Sequence, residues 1–207
     1  MSTPTPDRVL LNNGRVLLNN VRIAFCQSLH KPEQVNGEGG FRRGAVFLID
    51  KNDRQVAAIE KAIDQMLGIK YPDPKKRAPA ESEMRKKDRI ALRDGDDKAD
   101  KYDGFGGCMA LSANGKAGDT AEEAGPVILL DQLKQPLTVG SGKPYAGCYV
   151  NASVKIWVQD NSWGKRVNCT LRGVQFLRDG DAFGGSAPGS ADEFETVTAG
   201  ADAADFA

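Results

Sequence analysis

The chain has 207 residues, 28 basic and 28 acidic, with 40% apolar residues and 7% aromatics. That composition can bury a core, which excludes wholesale disorder. No apolar run approaches the ~18 residues of a membrane span, and residues 1–7 are polar and Pro-rich with no secretory pattern. A cytosolic location without membrane contact is the expectation.

The zero net charge hides an asymmetry. Seven acids and no Lys or Arg lie between Asp179 and Ala207, so residues 1–178 hold all 28 basic residues against 21 acids. A basic body with an acidic end favours polyanionic partners, and the end competes for the same surface. Cys26, Cys108, Cys148 and Cys169 are widely separated and His30 is the single histidine. Structural zinc ligands arrive as close pairs, so no metal or cofactor is expected and the thiols read as reduced and buried.

The hexapeptide RVLLNN occurs twice, Arg8–Asn13 and Arg15–Asn20, too few copies for a solenoid. A first strand is predicted over about 15–27, with Val21, Ile23 and Phe25 on one face. Asn36–Gly40 reads as a turn and Phe41–Ile49 as a second strand. Val56, Ile59, Ile63 and Leu67 fall at helical spacing, with Asp53 as N-cap and Gly68 as stop. Lys70–Lys101 carries eleven basic and eight acidic residues. It reads as an exposed insertion, about 70–104, with a short helix at most over Glu81–Leu92. Gly107–Ser112 and Val127–Leu130 are short strands. Tyr145–Val158 and Lys165–Leu177 are long ones, joined by a turn at Asp160–Gly164. The sum is mainly β: a barrel of about five strands with one helix and a charged insertion, over residues 1–178. Residues 179–207 read as a disordered acidic tail.

Strand parity sorts the long arms. Ala146, Cys148, Val150, Ala152, Val154, Ile156 and Val158 form an apolar face. Tyr145, Tyr149, Lys155 and Trp157 lie opposite, with Arg166, Asn168, Thr170 and Arg172 from the second arm. Flat rings stack on unpaired bases and cations meet phosphates, so this face has the composition of a single-strand polynucleotide surface without sequence preference. The plain alternative is a second core under the insertion, which Lys155 and Arg166 argue against. Trp163 and Lys165 near the turn join the candidate DNA-binding set. Arg42, Arg43, and the clusters at Lys75–Arg77 and Arg85–Lys87, including Lys86 and Lys87, extend it. Asp94, Asp96, Asp97, Asp100 and Asp103 offer a competing reading, a divalent-metal nuclease. Their spacing fails the calcium-loop pattern.

Several motifs then converge: Val21-Arg-Ile, Arg93-Asp-Gly-Asp96, Tyr145-Ala-Gly-Cys-Tyr149, Gly173 through Gly185, and Ala191-Asp-Glu-Phe-Glu195. In these the sequence resembles the phage-encoded single-stranded DNA-binding proteins. The resemblance implies a non-catalytic oligonucleotide/oligosaccharide-binding (OB) Greek-key barrel acting in phage replication or recombination within the bacterial host. Such proteins carry acidic tails that dock onto replication enzymes. Here Asp192, Glu193, Phe194, Glu195, Asp202, Asp205 and Phe206 are the candidate partner-binding residues, although Ala207 follows the terminal Phe. A third reading is a structural phage protein that contacts packaged DNA.

Overall fold

The computed structural model describes residues 13–35 and 37–184. Nine strands and two helices follow in chain order: β1 (Arg15–Ala24), β2 (Glu33–Val35), β3 (Glu38–Arg42), β4 (Gly44–Asp50), α1 (Arg54–Lys70), α2 (Pro74–Lys86), β5 (Leu92–Asp94), β6 (Cys108–Asn114), β7 (Ile128–Leu130), β8 (Tyr149–Asn161) and β9 (Gly164–Arg178). β2 and β3 form a separate hairpin. The other seven make one sheet in the order β5-β6-β4-β1-β8-β9-β7. β6 also meets β9 in parallel through the single pair Asn114 and Thr170. That bridge closes β1, β4, β6, β8 and β9 into a five-stranded ring, the partly open Greek-key barrel expected. β5 and β7 are additions at its margins.

The alternation of β8 does what the sequence pattern requires. Val150, Val154 and Ile156 are fully buried, as are Val16, Leu18 and Ile23 of β1. α1 lays Ile59, Ala62, Ile63 and Leu67 onto the same core. The Asp53 carboxylate caps α1 by accepting the Gln55 N–H at 2.8 Å. Gln55, the buried polar residue, then reaches β1, where Asn19 and Asn20 interrupt the register against β8. Its side chain accepts the Asn19 N–H at 2.7 Å and donates to the Asn19 carbonyl at 3.0 Å. A bulge that would leave two backbone groups unpaired is thereby satisfied from the helix.

Several boundaries differ from the sequence reading. β1 ends at Ala24, because Phe25 takes φ 49° and turns its ring out of the core. α1 runs through Gly68 and stops at Tyr71, which precedes Pro72 and is disfavoured from helical geometry. The second strand begins at Gly44, and Glu38–Arg42 pairs instead with Glu33–Val35.

The helix of the insertion lies earlier and is longer than the Glu81–Leu92 segment suggests. α2 begins on Asp73, whose carboxylate accepts the Lys75 N–H at 2.9 Å, with Pro74 as its first residue. It buries only Ala80 and Met84, so it shows no continuous apolar stripe. Arg77 pairs with Asp64 and Arg85 with Glu60 at 3.0 Å, tying α2 to α1.

The body also extends past residue 178. Phe183 packs on a second core of Ala24, Leu48, Phe105 and Ala110. Its N–H donates to the Ala146 carbonyl at 3.0 Å, and the Gly184 N–H donates to Asp103 at 3.1 Å. The tail residues from 185 onward, including Asp192, Glu193, Phe194, Glu195, Asp202, Asp205 and Phe206, lie outside the described residues. So does the first RVLLNN copy up to its last residue.

The four cysteines are free. Burial pushes the Cys26 thiol up to about 12 and that of Cys148 to about 11, so both are poor nucleophiles. Among the described residues no helix is long and apolar enough to cross a membrane.

Candidate functional site

β8 and β9 form a hairpin whose two-residue turn, Ser162 and Trp163, projects from the barrel. Trp163 is 82% exposed there, an arrangement no packing requirement explains. On the outer face of the hairpin Trp157 is 37% exposed, and its indole N–H donates to the Thr170 hydroxyl at 3.0 Å. One step nearer the turn, the Asn168 side-chain amide donates to Gln159 Oε1 at 3.1 Å. The bond to Thr170 fixes the polar edge of the Trp157 ring, while the ring itself stays partly exposed.

Trp157 and Trp163 line a groove of about 710 Å³ at the junction of β6 and β9. One bank is Ser112 and Asn114 of β6 with the following Gly115–Ala117. The other is Arg166 to Thr170 of β9, and Arg89, Ile90, Ala91 and Arg93 also line it. Five cations, Arg42, Arg89, Arg93, Lys116 and Arg166, line it, and no carboxylate does. Arg89 donates to the Trp163 carbonyl at 3.5 Å. Arg93 is held by the carbonyls of Ile90, at 3.2 Å, and Asp88. Neither guanidinium makes an ion pair among the described residues, although Arg89, after Lys87, helps to hold the Glu83 carboxyl below the usual range. Arg42, Lys116 and Arg166 make no ion pair among the described residues. The Arg42 Nε–H is buried with no acceptor. A buried donor without a partner costs roughly 1–3 kcal/mol, which an anionic oxygen in the groove would relieve.

The predicted residues divide between this groove and other places. Trp157, Trp163, Arg166 and Arg42 come together in it. Lys155 is exposed on the same face, opposite Thr170, and Arg172 lies further along β9. Lys165 turns to the other side of the hairpin, into a small cleft with Glu83, Lys87 and Asp160. Lys87 is engaged by Glu83 at 2.7 Å, and Lys86 stands beside it at the end of α2. Arg43 donates to the carbonyls of Ala124 and Gly125 at 3.1 and 3.3 Å, holding a loop.

The two tyrosines stand apart. Tyr149 opens β8, eight residues from Trp157 and so about 26 Å along the strand. The Arg178 guanidinium covers its ring at 3.4 Å from the centroid. The Tyr145 hydroxyl lies 3.0 Å from the Asp179 carboxylate and accepts the Gly180 N–H at 3.1 Å, pinning the chain after β9. The parity that assigns Tyr145 to the outer face does not hold there, because Gly147 intervenes with φ 104° and the strand begins at Tyr149.

Sequence reasoning missed Arg89, Arg93 and Lys116. Arg93 stood in the Arg93-Asp-Gly-Asp96 motif, which was a usable signal. Arg89 was hidden among the many charges of the insertion, and Lys116 sits alone between Gly115 and Ala117 with nothing local to mark it.

Of the aspartates proposed for a metal, Asp94, Asp96 and Asp103 serve the fold. Lys51 bridges Asp94 and Asp96 at 2.7 and 2.6 Å. Asp96 also accepts the Gly107 N–H at 2.7 Å, and Asp103 holds Gly184. The hydrogen bonds with Lys51 hold both carboxyls below the usual carboxylate range and raise the lysine. Among the described residues no group of three His, Cys, Asp or Glu converges as a metal site, and nothing supports the nuclease reading.

A family model for the ssDNA-binding protein of Enterobacter phage Enc34 matches residues 14–206. The putative protein p50 of Acyrthosiphon pisum secondary endosymbiont phage 1 is 40% identical over 185 residues, which cover 89% of this chain and 94% of that protein. The single-stranded DNA-binding protein of bacteriophage Enc34, solved in complex with ssDNA, superposes with a TM-score of 0.64 at 21% identity, covering 83% of this chain and 90% of that one. For gp2.5, a single-stranded DNA-binding protein of bacteriophage T7, the TM-score is 0.52 at 14% identity, with 87% and 94% covered. At these identities the structural likeness is one of fold. The match along most of the sequence goes further: the chain belongs to the family of the phage Enc34 ssDNA-binding protein.

Proposed function

We propose that this protein binds single-stranded DNA without sequence preference, with bases stacked on Trp157 and Trp163 and phosphates on the surrounding cations. The observation that carries this reading is a groove with two exposed indoles, five cations and no carboxylate. Membership of the Enc34 family supports the same conclusion. The chemistry is coating rather than cleavage, in phage replication or recombination in the host cytoplasm. Lys155 and Arg172 extend the track, and the other predicted cations attract the strand at longer range.

Titration of intrinsic Trp fluorescence tests this. Poly(dT) should quench it, duplex DNA should do so far less, and the affinity should fall steeply with salt. Replacing Arg166 with Gln should lower the slope of log K against log salt by about 0.7, one single-strand phosphate contact. Equal affinity for duplex and single strands would favour the packaged-DNA reading, and Mg²⁺-dependent loss of a labelled strand would favour a nuclease.

The acidic tail supplies an internal competitor and a hook for replication or recombination proteins. Residues 179–184 belong to the body, so truncation should follow Gly184. That variant should bind poly(dT) more tightly at low salt, with the difference vanishing at high salt. Unchanged or weaker low-salt binding would remove the competition.

A further inference from the structure

The outer face of β8 does not end at Trp157. Lys155, Ser153 and Asn151 continue it, and beside them Ile128 and Leu130 of β7 and Leu17 of β1 line a shallow pocket of about 340 Å³. Ile128 is 62% exposed on a three-residue edge strand, held in register against Gly173. Arg172 overhangs the pocket. It is the extra residue of a bulge, since Ser153 pairs with Gly173 and Val154 with Leu171. The bulge aims its side chain outward, and it has no ion-pair partner among the described residues. No carboxylate lines the pocket. The nearby Asp131 carboxylate is occupied by the N–H groups of Leu133 and Gln135 at 2.8 Å each.

The amides on the floor are also occupied. Asn151 donates to Gln175 at 3.1 Å and accepts from the Asn20 N–H at 3.0 Å. Gln175 donates to the Asp131 carbonyl at 3.2 Å. Their mutual bonds leave Ile128, Leu130 and Leu17 as the surface for a base, with the Ser153 hydroxyl also lining the pocket. The row through Ser153 lies four residues from the row through Trp157, about 13 Å along the strand.

We infer that this β7 pocket is a second base-binding site, in which single-stranded DNA leaving the tryptophan groove packs a base on Ile128 and Leu17 under a phosphate held by Arg172. This rests on the reading that DNA runs along the outer face of β8. The uniform positive charge and continuity with the groove through Lys155 favour a polynucleotide over a protein segment.

Binding of the full chain to oligothymidylates of about 4 and about 20 nucleotides, lengths bracketing the footprint of one OB barrel, tests it. Ile128→Ala should weaken the longer ligand about fivefold and leave the shorter unchanged, because a short strand is satisfied by the groove; Arg172→Gln should weaken the longer ligand by a similar factor. Trp157→Ala, run alongside, should weaken both. If Ile128→Ala leaves the longer ligand unaffected, or weakens both lengths equally, the second site is overturned. Should Trp157→Ala be silent while Ile128→Ala acts on the longer strand, the groove assignment falls and the β7 site stands.

Discussion

Replacing Trp157 and Trp163 together with Ala should all but abolish binding to poly(dT) at moderate salt. Base–aromatic stacking is worth roughly 1–3 kcal/mol per base, so each single substitution should cost about 5- to 150-fold in affinity. Trp163 is 82% exposed and packs on nothing that its loss would disturb, so Trp163→Ala should leave the melting temperature unchanged. Trp157→Ala also frees the Thr170 hydroxyl, and its effect on binding contains a positioning component. Trp157→Phe separates the two: it keeps a ring for stacking and loses the indole donor. Electrophoretic mobility shift with all four variants measures the series. Near-native affinity in the double variant would show that the cations alone hold DNA and that the rings do not stack.

The second large effect is on stability. A Cβ on Gly147 would stand 2.0 Å from the Asp181 carbonyl oxygen, at φ 104°, where side chains are strained. Backbone and clash compound each other there, because the same short approach lets Arg22 donate to both the Gly147 and Asp181 carbonyls, at 3.1 and 2.6 Å. Gly147→Ala should destabilise by about 3 kcal/mol or more, lowering Tm by roughly 6–12 °C in a chain of this size. Because residues 179–184 can yield before the barrel does, trypsin should cut after Arg178 faster in the variant. A Tm within about 2 °C of the parent, with unchanged proteolysis, would mean that the close approach carries no stability.

What the sequence disclosed followed from how far each signal reaches. Alternation from Cys148 to Ile156 marked the core face of β8, because period-two patterning is a property of the strand itself. It also placed Trp157, Arg166 and Thr170 together on the outside. It failed where a single residue changed the phase, at Phe25 and at Gly147. α2 escaped because its contact with the body is only Ala80, Met84 and two ion pairs, which leaves little amphipathic trace. Half the groove escaped for another reason. Arg89, Arg93 and Lys116 arrive from segments more than forty residues away from Trp157, and only the ring topology places them opposite it.

That topology leaves the barrel with a seam. β6 and β9 touch through one residue pair, Asn114 with Thr170, while every other junction in the ring is a longer ladder. The groove runs over this seam, with a bank on each strand, and Thr170 also anchors Trp157. A strand of nucleic acid lying there would act as a suture: it would grip both lips at once, and its binding energy would add to closure of the weakest joint in the ring by mass action. Occupancy and mechanical integrity of the barrel are then one equilibrium, so that a coated genome would also be a lattice of stiffened proteins.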